Sequence, residues 1–211
     1  MKIEIIKNNP GKPAVCLIDN DIPEELTEKL SAYCTLFSIS VPNWNDDLSP
    51  WPSDPVFPHG DEFGGKADIF LKQLLFQLEK KEKLLDYPVK ERYLAGYSLA
   101  GLFCLYASSK TDYFQKVASV SGSLWYPGFV EYLKNHPVHA KQVYLSLGNK
   151  ESKTKNPILK EAMNKTKEIG SIIGGYSGVL LTENPGNHFT DPQGRLFKGI
   201  AYLLSISDNL T

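Results

Sequence analysis

Residues 93–103 read YLAGYSLAGLF, an apolar run that ends in a serine and passes directly into a second apolar run. This pattern is typical of a nucleophile elbow, a tight turn between a strand and a helix that projects one serine hydroxyl from the end of a sheet. Gly96, Ala100 and Gly101 are small enough for the strained turn and for close approach of the helix to the strand. Ser98 would then lie at a helix N-terminus, where free N–H groups favour negative charge. A simpler interpretation is a serine that caps a buried helix.

The chain as a whole has the composition of a soluble globular protein. Its 211 residues suffice for a sizeable core, and we expect a single domain over residues 1–211. Hydrophobic residues make up 42% and charged residues 22% of the chain. A net charge of −1 offers no basic surface for nucleic acid, and no apolar run is long enough to cross a membrane. Nucleic acid and membranes are therefore not expected partners, and the sequence does not indicate an oligomeric state.

Three scattered cysteines, Cys16, Cys34 and Cys104, lie within apolar segments. An odd number without metal-ligand spacing predicts buried free thiols in a reducing compartment. The first residues, MKIEII, are too short and too interrupted an apolar stretch for a signal peptide. We therefore expect a cytoplasmic protein without a metal site.

Short buried apolar runs alternate with amphipathic segments along the chain. The predicted strands are residues 14–18, 35–41, 92–96, 116–121, 143–147 and 176–182. One predicted helix follows a cap at Asn20 or Asp21, with Pro23 in its first turn. The other predicted helices cover residues 66–85, 99–108, 158–168 and 192–205. This alternation predicts an α/β protein with a mostly parallel central sheet and helices on both faces. Ligands in such sheets bind beyond the carboxyl ends of the strands, where the sequence places Ser98.

A serine hydroxyl becomes a good nucleophile only when a histidine accepts its proton and a carboxylate orients that histidine. His136 and His139 lie in a polar stretch between predicted elements, and nothing fixes His59 to the end of a strand. His188 follows the last predicted strand through the turn-rich segment ENPGN and precedes the final helix. We predict His188 as the base, with a histidine beside a helix cap as the simpler interpretation.

The carboxylate is expected after a strand that lies between the serine and the histidine in the sequence. Glu151 fits, because it follows by three residues the Gly148 that ends the strand 143–147. The lysines around it are equally typical of a solvated charged loop. Asp191 precedes Pro192 as a helix N-cap would, and it remains an alternative together with Glu183.

An acyl-transfer site also needs two N–H donors for the oxyanion of the tetrahedral intermediate. The backbone N–H of Leu99, directly after the nucleophile, is the first candidate. The second normally comes from the loop after an earlier strand, and we predict the backbone N–H of Asn20.

Residues 42–65 lack periodicity and read as a long surface loop that starts at the same edge of the sheet as Ser98. Trp44 or Trp51 would form a wall of the substrate pocket, since aromatic side chains dominate small-ligand sites. The alternative is that the loop aromatics, which include Phe57 and Phe63, pack inward and anchor the loop. Its four aspartates would disfavour anionic substrates.

Four features in this order resemble the esterase D-like and enterochelin-esterase-like group of α/β-hydrolases. They are Leu17-Ile18-Asp19-Asn20 before a helix, the elbow at residues 96–101, the acidic residue soon after Gly148, and Gly186-Asn187-His188-Phe189 before the last helix. The resemblance covers the chain from about Ala14 onward and implies the α/β-hydrolase fold. It also implies Ser98 as nucleophile, Glu151 as acid and His188 as base.

The chain departs from this group at two positions and is short for it. Ala100 replaces the glycine that usually ends the elbow pentapeptide, and Asp19-Asn20 stands where Asp-Gly is common. The little sequence before Ala14 implies a trimmed sheet of about six or seven strands and no cap domain.

The resulting prediction is a serine hydrolase that cleaves a small-molecule ester through an acyl-serine intermediate, without a metal or organic cofactor. Acyl transfer to an acceptor other than water uses the same machinery and remains an alternative. So does a hydrolase-fold protein that binds without catalysis, because fold does not settle activity.

Overall fold

A computed structural model of the protein describes residues 1–56 and 59–206. The strands, in chain order, are β1 (Lys2–Lys7), β2 (Ala14–Ile18), β3 (Thr35–Ser40), β4 (Pro52–Ser53), β5 (Phe63–Gly64), β6 (Arg92–Tyr97), β7 (Lys116–Val120), β8 (Gln142–Gly148) and β9 (Gly178–Asn184). The helices are α1 (Glu24–Leu30), α2 (Trp44–Leu48), α3 (Ala67–Glu82), α4 (Leu99–Lys110), α5 (Phe129–Asn135), α6 (Pro157–Lys160), α7 (Ala162–Gly174) and α8 (Pro192–Leu204).

Seven of the strands form one sheet in the order β1-β3-β2-β6-β7-β8-β9. Strand β1 runs antiparallel to β3, whereas every other neighbouring pair in this sheet is parallel. The predicted mostly parallel α/β sheet is therefore confirmed. Because parallel strands end at a common edge, the loops after β2, β6, β8 and β9 all meet there.

Both faces of the sheet are buried, which explains why its central strands are apolar runs rather than alternating ones. Strand β2 shows the two faces: Cys16 and Ile18 join the core beneath α3, α4, α5 and α7. Val15 and Leu17 point to the opposite side and join the core beneath α1 and α8. The cysteines at 16, 34 and 104 are free and buried, as the sequence predicts.

The structure corrects several boundaries. Strand β1 and helix α5 were not expected, the predicted helix 158–168 is the pair α6 and α7, and the last strand lies at residues 178–184. Helix α1 begins after Pro23 without a side-chain cap, so neither Asn20 nor Asp21 caps it. Asn20 instead makes hydrogen bonds to Val41, which are described with the candidate site below.

Residues 42–65 contain more regular structure than the sequence predicts. Helix α2 and the β4–β5 hairpin lie within this segment, and residues 57–58 fall outside the described chain. Asp46 accepts hydrogen bonds from the Lys66 side chain and from the Lys66 backbone N–H, at 2.6 and 2.7 Å. The Ser49 hydroxyl accepts one from the Gly65 N–H at 2.8 Å. These contacts fasten the two ends of the segment together.

Within residues 1–56 and 59–206, no helix has both the length and the apolar character that crossing a membrane requires.

Candidate active site

Ser98 is the single residue between β6 and α4, and its backbone is strained. Its φ of 58° and ψ of −121° lie in a region that L-residues rarely adopt, at a cost of about 1–3 kcal/mol. Three backbone hydrogen bonds hold it there: its N–H donates to Val120, and its carbonyl accepts from Leu102 and Ser123. The hydroxyl makes no capping bond to α4. The simple helix-cap interpretation of this serine therefore does not describe the structure.

The small residues around the serine are required by contact distances. A Cβ atom at Gly96 would lie 2.7 Å from both the carbonyl carbon and the Cβ of Ala100. A Cβ atom at Gly101 would lie 3.0 Å from the Cα of Gly122. A larger residue at either position would push α4 away from the sheet and open the turn.

Three loops bring Ser98, His188 and Glu151 into one hydrogen-bonded chain. His188 Nε2 lies 3.0 Å from Ser98 Oγ, and His188 Nδ1 lies 2.8 Å from Glu151 Oε2. In the tautomer that donates from Nδ1 to the carboxylate, Nε2 can accept the proton of the serine hydroxyl. This is the geometry that activates a serine.

Glu151 is held from both of its carboxylate oxygens. Its side chain is 7% exposed, and Oε1 accepts hydrogen bonds from the Gly148 N–H at 2.7 Å and from Arg195 Nη1 at 3.0 Å. Burial raises the pKa of this carboxyl, but the hydrogen bonds from His188 and the Gly148 N–H outweigh it, so the pKa of Glu151 is lowered. The carboxylate is therefore ionised at neutral pH.

The loop that carries His188 is fastened to its neighbours through the backbone. The Tyr97 hydroxyl donates to the His188 carbonyl at 2.6 Å. The Lys150 N–H, one residue before the acid, donates to the carbonyl of Gly186 at 3.0 Å. The loops that carry His188 and Glu151 thus hold each other in place.

The other acidic residues considered from the sequence lie in different surroundings. Asp191 caps α8, because its side chain accepts a hydrogen bond from the Gly194 N–H at 3.0 Å. Glu183 pairs with Lys167 at 3.0 Å and is exposed.

The other three histidines also lie apart from the serine chain. His136 stacks on Tyr132 with 4.2 Å between ring centroids, and His59 and His139 are exposed. His188 is accordingly the histidine that the structure brings to Ser98.

The two predicted oxyanion donors lie on either side of the elbow. The Leu99 N–H belongs to the first turn of α4, whose N–H groups have no partner within the helix. The Asn20 side chain donates to the Val41 carbonyl at 3.1 Å and accepts from the Val41 N–H at 2.6 Å. These bonds tie the loop after β2 to the end of β3. The Asp19 carboxylate accepts from the Asp21 N–H at 3.1 Å, and the role of the Asn20 backbone N–H as second donor stays a prediction.

A cavity of about 260 Å³ opens beside Ser98, and Trp44, the first of the two predicted tryptophans, lines it. Trp44 and Leu196 provide apolar walls, and Asp19 and Asp21 provide acidic ones. Burial raises the pKa of the Asp19 carboxyl, and backbone N–H groups oppose this shift. The acidic groups that line this cavity belong to the loop after β2, and the effect of the four aspartates of residues 42–65 on anionic substrates stays a prediction.

Trp51 lies in a different place. Its indole Nε1 donates to the Pro127 carbonyl at 2.9 Å, and its ring packs against Tyr126, Phe129 and Tyr132. This is the anchoring role considered as the alternative for the loop aromatics. Phe63 is also packed inward, against Tyr126, whereas Phe57 is outside the described residues.

Arg195 is a residue of the site that the sequence reasoning missed. It lies on α8, is 2% exposed, and donates to Glu151, Ser121, Tyr97 and two backbone carbonyls. The available signal was a charged residue next to Leu196, on the face of the predicted helix 192–205 that carries its apolar residues. A buried charge on such a face needs partners, and here the partner is the candidate acid.

No family model matches the sequence. A curated Bacillus subtilis (strain 168) protein, the uncharacterized protein YbbA, is 28% identical over 141 residues. The match covers 64% of this chain and 56% of YbbA, so it spans little more than half of that protein.

Solved structures of several other proteins superpose on this chain. An IroE-like serine hydrolase from Shewanella oneidensis superposes with a TM-score of 0.79 at 18% identity, over 96% of this chain and 74% of that one. The siderophore hydrolase EstA from Aspergillus nidulans gives 0.68 at 20% identity, over 93% and 83%. The enterobactin esterase FES from Shigella flexneri gives 0.67 at 19% identity, over 96% and 54%. The chain has the α/β-hydrolase fold.

The resemblance drawn from the sequence motifs is thus confirmed for the fold. The α/β-hydrolase sheet of this chain has seven strands, as the trimmed-sheet expectation implies. Within residues 1–56 and 59–206, helices and one two-stranded hairpin fill the segments between its strands, without a cap domain.

Proposed function

We propose that the protein is a serine hydrolase that cleaves an ester of a small molecule through an acyl-serine intermediate. The observation that supports this most directly is the chain of hydrogen bonds from Ser98 through His188 to Glu151, at 3.0 and 2.8 Å. The strained backbone of Ser98 adds to it, because such strain is concentrated at active sites.

In the proposed reaction His188 Nε2 takes the hydroxyl proton while Ser98 Oγ attacks the ester carbonyl carbon. The oxyanion that forms is stabilised by the backbone N–H groups of Leu99 and Asn20. As the intermediate collapses, the imidazolium gives its proton to the leaving alcohol oxygen, and the acyl group remains on Ser98. A water molecule, deprotonated by His188, then attacks the acyl carbonyl carbon. As this second intermediate collapses, the bond to Ser98 Oγ breaks, the imidazolium returns its proton to Oγ, and the acid is released. Glu151 stays ionised throughout.

The names of the similar structures support ester chemistry for the proposed site. Those proteins are called a serine hydrolase, a siderophore hydrolase and an enterobactin esterase. The surroundings of Ser98 in this chain favour a neutral or cationic short-chain ester, with Trp44 as an apolar wall and Asp19 and Asp21 as the charged groups of the cavity. The serine, the imidazole and the backbone donors supply every step, so we propose no cofactor.

The proposal is tested by labelling with a fluorophosphonate probe and by turnover of p-nitrophenyl esters of graded chain length. Ser98→Ala is expected to abolish labelling and to lower kcat by at least about 10³-fold, as in other triad knockouts. The melting temperature should stay unchanged, since a half-exposed hydroxyl contributes little to stability. Ser123→Ala is the matched control, because its hydroxyl lies 3.4 Å from that of Ser98, and this variant should keep the label. A Ser98→Ala protein that still labels would remove Ser98 from the mechanism.

A further inference from the structure

Arg195 makes five hydrogen bonds that converge on the candidate acid and base. Nη1 donates to Glu151 Oε1 at 3.0 Å, to the Ser121 hydroxyl at 3.0 Å and to the Tyr97 hydroxyl at 3.4 Å. Nη2 donates to the backbone carbonyls of Pro185 at 2.7 Å and Asn187 at 2.9 Å. These two carbonyls belong to the loop directly before the histidine, so one guanidinium contacts both the acid and the support of the base.

This contact depends on the shape of the guanidinium, in which arginine differs from lysine. A guanidinium presents its donors in a rigid planar fork, whereas an ammonium is a compact point charge on a flexible stem. With Oε1 of Glu151 held by the fork and by the Gly148 N–H, only Oε2 remains to face His188. The same fork fixes the loop at Pro185 and Asn187, and therefore the position of the imidazole over Ser98.

The guanidinium also changes the electrostatics of the pair. When His188 takes the serine proton, the imidazolium is stabilised by the charge of Glu151, but Arg195 already shares that carboxylate at 3.0 Å. A carboxylate shared with a permanent cation attracts a second cation less strongly. Arg195 thus reduces the stabilisation that Glu151 gives to the imidazolium.

We infer that Arg195 is a positioning residue that fixes the acid and the base and reduces the stabilisation of the imidazolium by Glu151. This inference rests on the proposed function. It adds to the serine, histidine and acid a group that acts through Glu151 and that never touches the substrate.

Other charged or titratable groups near His188 come from each neighbouring element. The Tyr97 hydroxyl, at the end of β6, contacts the His188 carbonyl. Asp19 and Asp21, on the loop after β2, line the cavity beside Ser98, and Asp191, on the histidine loop itself, caps α8. All of these remain when Arg195 alone is replaced, so a shift in the pH profile reports on the guanidinium.

The test compares Arg195→Met, which removes the charge, with Arg195→Lys, which keeps the charge but loses the fork. For Arg195→Met we expect kcat to fall about 10²-fold, as for a misplaced catalytic group. We also expect the acidic limb of its kcat/KM profile to move to higher pH, with little change in KM. For Arg195→Lys we expect a comparable fall in kcat, with the acidic limb close to its original position. Active-site titration with the fluorophosphonate corrects both values for the folded fraction.

Three outcomes would overturn the inference while leaving the proposed function intact. One is a kcat for both variants within about twofold of the unmodified protein, which falls inside the ordinary spread of surface substitutions. Another is a fall in kcat for Arg195→Met without movement of the acidic limb, which would indicate structural support alone. If Arg195→Met does not fold, Arg195→Lys decides, and an unchanged kcat in that variant overturns the inference. Failure of the unmodified protein to label would instead contradict the proposed function.

Discussion

Replacing Glu151 by glutamine keeps the shape of the side chain but exchanges one oxygen for an NH₂ group. In the structure, Oε1 accepts two hydrogen bonds, from the Gly148 N–H and from Arg195, whereas Oε2 faces His188 Nδ1. If the amide oxygen takes the place of Oε1, both of those bonds are kept and the NH₂ group faces Nδ1. If the amide is reversed, the NH₂ group opposes two donors, which costs more than it gains. The first orientation is therefore expected.

In the first orientation, His188 adopts the tautomer that cannot accept the proton of the Ser98 hydroxyl. An NH₂ group can only donate to Nδ1, so the ring proton moves to Nε2, which then cannot accept the proton of Ser98. In a Ser-His-Asp triad the equivalent acid-to-amide change lowers kcat by about 10⁴-fold. We expect the same order of loss for Glu151→Gln, which corresponds to about 5 kcal/mol of transition-state stabilisation.

The assay is kcat for p-nitrophenyl acetate, with thermal unfolding as the check on folding. Asp191→Asn is the matched control, since it makes the same acid-to-amide change at a residue that follows His188 by three positions in the chain. Asp191 has a φ of 50° and caps α8, and asparagine both tolerates that conformation and caps helices well, so the loss should stay below about tenfold. Retention of more than about a tenth of the activity by Glu151→Gln, or a larger loss in Asp191→Asn, would refute the reasoning.

Three further predictions concern the elbow, the substrate and acid stability. Gly96→Ala should lower stability by about 1–3 kcal/mol in urea unfolding, because its Cβ would lie 2.7 Å from the backbone of α4. A Cβ atom at Gly174 would have nothing within 4 Å, so Gly174→Ala should not lower the stability. Equal losses of stability in the two variants would contradict the steric argument for Gly96. A neutral ester should turn over faster than a matched anionic ester, with a smaller difference at high salt, and equal rates at low salt would contradict the roles of Asp19 and Asp21. Folding lowers the pKa of the Glu151 carboxyl from its ordinary value of 4.5. The ionised carboxylate therefore stabilises the folded protein above pH 4.5, and this contribution is lost as the pH falls through the pKa that the group has in the folded state. Below pH 4.5 the urea midpoint should thus fall less steeply in Glu151→Gln, and identical slopes would count against the lowered pKa.

The elbow could be predicted from the sequence because its signal is local. Residues 93–103 contain the strand, the serine, the small neighbours and the helix start in one continuous pattern. His188 and Glu151 could be ranked above their alternatives because each follows a predicted strand, and parallel strands end at a common edge. The parallel sheet, rather than any local sequence pattern, brings these two residues close to Ser98.

The missed elements depend on distant partners. Strand β1 is an edge strand whose hydrogen bonds go to β3, far along the chain, as in the pairing of Lys2 with Ser40. The order within residues 42–65 depends on Lys66 and Gly65 at the far end of that segment. Neither pairing leaves a periodic signature in the segment itself.

Polar side chains with a structural role are the hardest to predict. Asn20 looked like a helix cap because its type and position fit one, but its side chain bonds Val41 across the sheet edge. Arg195 forms its contacts with residues 8 to 98 positions away in the chain. Its presence beside the apolar residues of α8 indicates burial, but the acceptors that make burial favourable come from four separate loops or strand ends.

The order of the proposed catalytic residues along the chain has a consequence during synthesis. Ser98 precedes its partner His188 by 90 residues, and α8 docks on β6, β7 and β8 only after both have been made. A nascent chain that has emerged only as far as α7 contains Ser98 and Glu151 but has neither the base nor the arginine. Ester cleavage by the proposed mechanism therefore begins only once the last helix has docked, and the onset of turnover marks completion of the sheet and its covering helices.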